Sequence, residues 1–178
     1  VVAFVILFQP EIRRLLIYVG QHRFFQKIFR MGSSQTIEAI IETINELRNR
    51  SWGALVVIQR ETGLRSYKEA GMPLTAEVTA PLLISLFNPT SPLHDGAVII
   101  EGNRIVATRA ILPVSNERNI PLRFGLRHRA AIGVTEKTDA VALVVSEENG
   151  QVSYIKNGEF VLYNEFNELK KIIIDDLT

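Results

Sequence analysis

Cysteine is absent from this 178-residue chain, and histidine occurs only at His22, His94 and His128. The first absence excludes disulfide scaffolds, thiolate zinc sites and cysteine nucleophiles. The second leaves any metal site dependent on carboxylates and substrate oxygens. An excess of charge is missing too: 20 lysines and arginines stand against 19 acids, for a net charge of +1. A nucleic-acid binder concentrates positive charge to displace counterions, so this balance argues against that class of partner. The two commonest nucleotide cradles, Gly-x-x-x-x-Gly-Lys-[Ser/Thr] and Gly-x-Gly-x-x-Gly, do not occur. Neither do His-Glu-x-x-His or Gly-x-Ser-x-Gly, which removes the zinc proteases and α/β-hydrolases. There is no internal repeat and no low-complexity tract. With 47% hydrophobic and 22% charged residues, the composition is that of a folded globular chain.

Long hydrophobic runs are also scarce. Val1 to Phe8 contains no polar residue, but eight residues are too few for a bilayer, which takes roughly 20. Five bases (Arg13, Arg14, Arg23, Lys27 and Arg30) follow, against the single acid Glu11. An apolar segment with bases behind it reads as the tail of a membrane helix with the rest on the cytoplasmic side. The competing reading is a packed helix with a continuous apolar face. The expected organisation is a membrane-helix remnant and basic juxtamembrane helix over 1–32, then a single domain over 33–178.

Within that domain the periodicities alternate. Ile37, Ile40, Ile41, Ile44 and Leu47 recur at spacings of three and four, an amphipathic helix ending near Arg50. Ala54–Ile58 is a short apolar run and predicts a buried strand. Residues 61–74 mix glycines, charges and Pro73, predicting a loop with a short helix. Thr79 is placed to cap a helix with Pro81 in its first turn, and Asn88-Pro89 ends it. Ala97–Ile100 and Arg104–Leu112 predict strands joined in a hairpin at Glu101-Gly102-Asn103, and Arg127 to Glu136 a helix. Ala140–Val145 and Val152–Ile155 predict a second hairpin around Glu148-Asn149-Gly150. Phe160–Tyr163 adds a strand, and the spacing of Phe166, Leu169, Lys170 and Ile173 a closing helix. The pattern predicts an α/β fold, a mixed sheet flanked by helices on both faces.

Three polar clusters fall at strand ends or loops, where binding residues concentrate. In the first, His94-Asp95-Gly96-Ala97 leads into an apolar strand. A carboxylate beside an imidazole can hold a divalent metal or take a proton from a hydroxyl, and the small residues after it let a ligand approach the backbone. Asp-Gly is equally a common turn dipeptide. The second, Arg127-His128-Arg129, opens a helix, where guanidinium forks and the positive helix end suit phosphate oxygens. Residues 127 and 129 do not share a helical face, so one is expected to bind and the other to fix structure. A solvated basic run is the alternative. The third, Ser146-Glu147-Glu148, places carboxylates between a strand and a turn, to hold a metal or a ribose hydroxyl, or simply as a solvated hairpin.

Taken together, Asp95-Gly96-Ala97, Arg127-His128-Arg129 and Val145-Ser146-Glu147-Glu148 resemble the diadenylate cyclase domain, from about residue 34 to 156. Pro10-Glu11 with its basic helix is similar to the juxtamembrane segment of the membrane-anchored, CdaA-type class. The resemblance implies condensation of two ATP molecules into cyclic di-AMP with release of two pyrophosphates, and Mg²⁺ or Mn²⁺ as cofactor. It implies catalytic roles for Asp95, Arg127 and Arg129. Gly96, Ala97, Leu112, Arg127, His128, Arg129 and Ser146 would contact the nucleotide, Leu112 through its backbone at the adenine. Asp95, His94 and Glu148 would face the metal, His94 across a dimer. The implied partners are ATP, a second copy of the chain, the membrane through preceding helices, a regulatory membrane protein and phosphoglucosamine mutase. Two positions depart from the family's pattern: Leu126 stands where many members have threonine, and Ile111 where many have an aromatic residue. A non-catalytic, membrane-tethered adenine nucleotide sensor is the alternative, and a membrane-tethered scaffold the more distant one.

Overall fold

The computed structural model describes residues 34–116, 120–121 and 124–178. The membrane-remnant and juxtamembrane expectations, with His22, lie outside the described residues. Among those described, no helix is long and apolar enough to cross a membrane.

The elements are α1 (Ser34–Arg50), β1 (Ala54–Gln59), α2 (Arg65–Glu69), β2 (Met72–Glu77), α3 (Ala80–Leu86), β3 (Ala97–Glu101) and β4 (Arg104–Ala110). They continue as α4 (Leu126–Lys137), β5 (Val141–Val145), β6 (Val152–Lys156), β7 (Glu159–Val161) and α5 (Phe166–Leu177). Seven strands form one sheet in the order β2-β4-β3-β1-β5-β6-β7. β1 and β3 run parallel while the other neighbours are antiparallel, so the sheet is mixed, as expected.

Both faces are covered, which is why the central strands read as unbroken apolar runs. Alternate residues serve opposite cores. Ala54, Val56 and Ile58 of β1, Val98 and Ile100 of β3, and Val141, Leu143 and Val145 of β5 join one. The same core takes Ile37, Ile40, Ile44 and Leu47 of α1, Leu83 of α3, and Leu169 and Ile173 of α5. Leu55 and Val57, Ala97 and Ile99, and Ala142 and Val144 turn the other way, towards Leu64 and the Ala131, Ile132 and Val134 face of α4.

The strand β2 corrects the expectation of loop up to residue 74. Pro73 argues against a central strand because it has no N–H to donate, yet β2 is an edge strand paired only with β4, where proline is tolerated. Its exposed residues Pro73, Thr75 and Glu77 alternate with the half-buried Leu74 and Ala76, a period-two signal. Thr79 does take the N-cap position of α3 with Pro81 in the first turn, but its hydroxyl makes no capping hydrogen bond. β4 is shorter than expected and ends at Ala110, and Ile111–Asn116 continue without regular structure.

Against β3, β4 carries extra residues: Ile100 pairs with Ile105, but Ile99 with Ala107 and Ala97 with Ala110. Such bulges re-aim side chains at the end of a strand. Opposite the second bulge, Gly96 has φ +111°, and a Cβ there would stand 2.7 Å from the Cα of Arg109. Only glycine fits this turn into β3.

Candidate active site

The bulged end of β4, the turn into β3 and the first turns of α4 enclose a cavity of about 450 Å³. Asp95, Gly96 and Ala97 form one part of its lining, Arg127 and Ala130 another. Between them lie Leu55, Met72, Arg109, Ala110, Ile111, Leu112 and Val114, so the interior is mostly apolar with charge at a few points. That combination suits a flat organic ring carrying an anionic tail.

Each charged group is positioned by its local structure. Asp95 is exposed and immediately precedes Gly96, whose positive φ turns the chain into β3. Arg127 sits in the first turn of α4, after Gly125 at the N-cap. Its Nη1 donates to Glu147 Oε2 at 2.9 Å, and its side chain is 21% exposed against 66% for Glu147. The Nε of Arg127 is buried and has no hydrogen-bond partner. A buried donor in that state costs free energy unless something accepts from it, so this guanidinium is ready for an acceptor. Gly53 makes the position possible, because a Cβ there would lie 2.7 Å from Arg127 Nη1. The unpaired N–H groups of the first turn of α4 reinforce the positive character of this wall.

The predicted residues divide. Asp95, Gly96, Ala97, Leu112 and Arg127 share the cavity lining, whereas Arg129, two residues on from Arg127 and off its helical face, does not. Arg129 is half-buried, and its carbonyl accepts from the Ser115 N–H at 3.0 Å, tying the Ile111–Asn116 segment to α4. His128 also lies away from the cavity lining. Its buried ring is tilted against Phe124 with centroids 4.8 Å apart, and Phe160 stacks on Phe124 at 4.6 Å. Burial, then the neighbouring Arg127 charge, pulls the imidazole from 6.5 down to about 4, so it is neutral near pH 7. A neutral ring among aromatics supports the helix and does not add a charge for phosphate.

His94 is half-buried, with Nδ1 2.6 Å from the Ser91 carbonyl, and does not line the cavity. Ser146 Oγ accepts from the Glu148 N–H at 3.3 Å within the β5–β6 turn. Ser146 and Glu148 therefore flank Glu147, on the loop that reaches Arg127. Among the described residues, no three His, Asp or Glu side chains gather into a metal site, so His94, Asp95 and Glu148 are not brought together within one chain. Asp95 by itself still fits Mg²⁺ chemistry, in which one or two carboxylates share the ion with substrate phosphates. Gly53 and Arg109 carried no signal in the sequence: the one acts through missing bulk, the other through a bulge. Glu147 was visible in the third cluster, but its pairing with Arg127 spans 20 residues.

An α/β domain with a half-apolar cavity, a helix start on one wall and a carboxylate at a strand start defines a nucleotide-binding protein. The family model described as "DisA bacterial checkpoint controller nucleotide-binding" matches residues 41–160, and the chain belongs to that family. It is 46% identical over 169 residues to "Cyclic di-AMP synthase CdaA" of Bacillus subtilis, covering 93% of this chain and 61% of that protein. It is 40% identical over 178 residues to the "Diadenylate cyclase" of Listeria monocytogenes, covering 98% of this chain and 65% of that protein. The chain thus spans less than two thirds of the length of these relatives. Among solved structures, a double-cysteine variant of DacA from Staphylococcus aureus superposes with a TM-score of 0.76 at 36% identity, covering 79% of this chain and 93% of that one. A protein described as a hypothetical membrane spanning protein from Bacillus cereus gives 0.71 at 36%, covering 90% and 80%.

Proposed function

We propose that this chain is the catalytic domain of a diadenylate cyclase, joining two ATP molecules into cyclic di-AMP and releasing two pyrophosphates. The observation that carries the reading is the single cavity in which Asp95-Gly96-Ala97 and Arg127 meet across a base-sized apolar lining. The names of the relatives, a cyclic di-AMP synthase and a diadenylate cyclase, support it.

In this reading the adenine lies on the apolar wall with Leu112 at its edge, and the phosphates lie towards Arg127 and the start of α4. The Arg127 guanidinium donates to a phosphate oxygen while its Nη1 keeps its bond to Glu147, so it is held before substrate arrives. Each 3′-hydroxyl oxygen forms a bond to the α-phosphorus of the other ATP, the bond to the pyrophosphate oxygen breaks, and the hydroxyl proton leaves towards Asp95. Mg²⁺ or Mn²⁺, held by Asp95 and phosphate oxygens, would neutralise charge on the phosphates. The chain carries each cluster once, so the symmetric product is made where two copies meet face to face across a two-fold axis. His94 would be the residue offered to a metal held by the other copy. The likeness to a protein described as membrane spanning supports action at a membrane, with this domain on the cytoplasmic side.

Asp95→Asn tests the reading, since it keeps the size and removes the charge. Incubated with ATP and Mn²⁺, the unaltered chain is expected to yield cyclic di-AMP, and the variant to lose product by at least about a hundredfold while keeping its melting temperature and most of its ATP affinity. Binding of ATP by the unaltered chain without turnover would instead make it a nucleotide sensor. Normal synthesis by the variant would return Asp95 to a turn residue.

A further inference from the structure

One cation of the cavity belongs to none of the three clusters. Arg109, next to last in β4, lines the cavity and is exposed. Its φ is +50°, a left-handed conformation uncommon for a residue with a side chain. Its place is the bulge between the Ile99–Ala107 and Ala97–Ala110 pairs, so close to the Gly96 turn that a Cβ on Gly96 would stand 2.7 Å from the Arg109 Cα. Strain of this kind persists where the surrounding structure enforces it and is found most often at functional sites. Here the Arg109 side chain reaches Met72, which shares the cavity lining.

Among the described residues, no carboxylate pairs with that guanidinium. Among the described residues its one polar contact is Nη1 to Met72 Sδ at 4.0 Å, a weak acceptor. The contrast with Arg127 is sharp: Glu147 after β5 and Gly53 before β1 adjoin Arg127, on the far side of β3 from the β4 that carries Arg109. β4 and β2 are at one edge, β1 and β5 lie beyond β3, and Asp95 leads into β3 between them. Two strand spacings, roughly 10 Å, separate β4 from β1. A nucleotide bridges such a span with its phosphates at one wall and its base at the other. Around Arg109 the lining includes Met72, Ala110, Ile111 and Leu112, and among the described residues no second cation stands beside it. A planar, weakly hydrated guanidinium on an apolar bed presents its face to a flat π-system.

We infer that Arg109 binds the nucleotide, its guanidinium lying flat against the purine base at the wall opposite Arg127. Its lining neighbour Ile111 is aliphatic and offers no planar face of its own. The inference rests on the proposed function in one respect, the assignment of the phosphates to Arg127.

Two variants test it, with ATP and adenosine titrated into the intact chain by calorimetry and melting followed in parallel. Arg109→Gly accepts the left-handed backbone, so the melting temperature is expected to stay or to rise by a few degrees, roughly 2–4 °C. Affinity is nonetheless expected to fall roughly 2- to 30-fold, by the same factor for ATP and for adenosine, because the lost contact is to the base. Arg109→Lys keeps the charge without the plane and is expected to recover less than half of that loss on a logarithmic scale. Unchanged affinity in Arg109→Gly would overturn the inference. So would a loss confined to ATP and restored by lysine, which marks a phosphate contact. An unaltered chain that binds neither ATP nor adenosine would overturn the functional reading itself, and this inference with it. An unaltered chain that binds both, with Arg109→Gly unaffected, would leave the functional reading standing and remove Arg109 alone.

Discussion

The two faces of the sheet are made by the same strands but from different side chains. On the face covered by α1, α3 and α5, the buried residues are large: isoleucines, leucines and valines, with Phe87 and Tyr154 among those fully enclosed. On the face covered by α2 and α4, alanine recurs at Ala97, Ala107, Ala110, Ala131, Ala140 and Ala142. Large side chains interdigitate and close the first face, as interiors at native density require. Small ones leave space on the second, and at the end where β3 begins and β4 stops that space is the cavity. The first face holds the fold; the second is where ligand chemistry is possible. The site groups follow the same division, since Asp95, Arg109, Arg127 and the buried His128 all belong to the open side.

The comparison breaks if the closed face carries function or the open face carries most of the stability. Leu83→Ala on α3 removes a fully buried side chain from the closed core, and about 2–5 kcal/mol of unfolding free energy is expected to go with it. Denaturant melts would measure the loss, and ATP affinity at low temperature should be unchanged. A weakened affinity in the folded variant would couple the two faces.

On the open face, His128 makes stability depend on pH. Its pKa in the folded chain, about 4, lies below the 6.5 expected when unfolded, so acid favours the unfolded state, which takes up the proton first. The contribution is complete above about pH 6.5 and is lost as pH falls towards 4, about 3 kcal/mol in all. Denaturant melts across this range, repeated on His128→Asn, should show a shallower slope in the variant. An unchanged slope would assign the acid sensitivity to other groups.

The smallest of these effects sharpens the comparison within the cavity. Arg127→Ala is expected to weaken ATP binding by about 1.5–3 kcal/mol, roughly ten- to a hundredfold, and adenosine binding far less. Calorimetry with both ligands separates this wall from that of Arg109, where the two losses should be equal. Equal losses at Arg127 would make it a structural residue instead.

Much of the fold was legible because burial on both faces writes itself into the strands. Ala54–Ile58 and Ala140–Val145 are apolar throughout, and the spacing of Ile37, Ile40, Ile44 and Leu47 matches the buried stripe of α1. β2 was hidden by Pro73, a residue that excludes a central strand but not an edge one. At the site, the split between Arg127 and Arg129 followed from helical geometry alone, since adjacent-but-one positions point apart. The place of His128 did not, because nothing local announces that Phe124 and Phe160 converge on its ring.

By itself, then, the sequence determined the alternation of elements, the two-sided burial of the sheet and the residue types available for phosphate chemistry. These are properties of neighbours along the chain, carried by periods of two and 3.6 residues. Tertiary structure alone decided which groups share the cavity. Gly53 yields space to a guanidinium 74 positions away, Glu147 holds that guanidinium, and the bulge opposite Gly96 sets Arg109 in the cavity lining. Such contacts depend on strand order and register, which closing long loops brings about and local spacing does not encode.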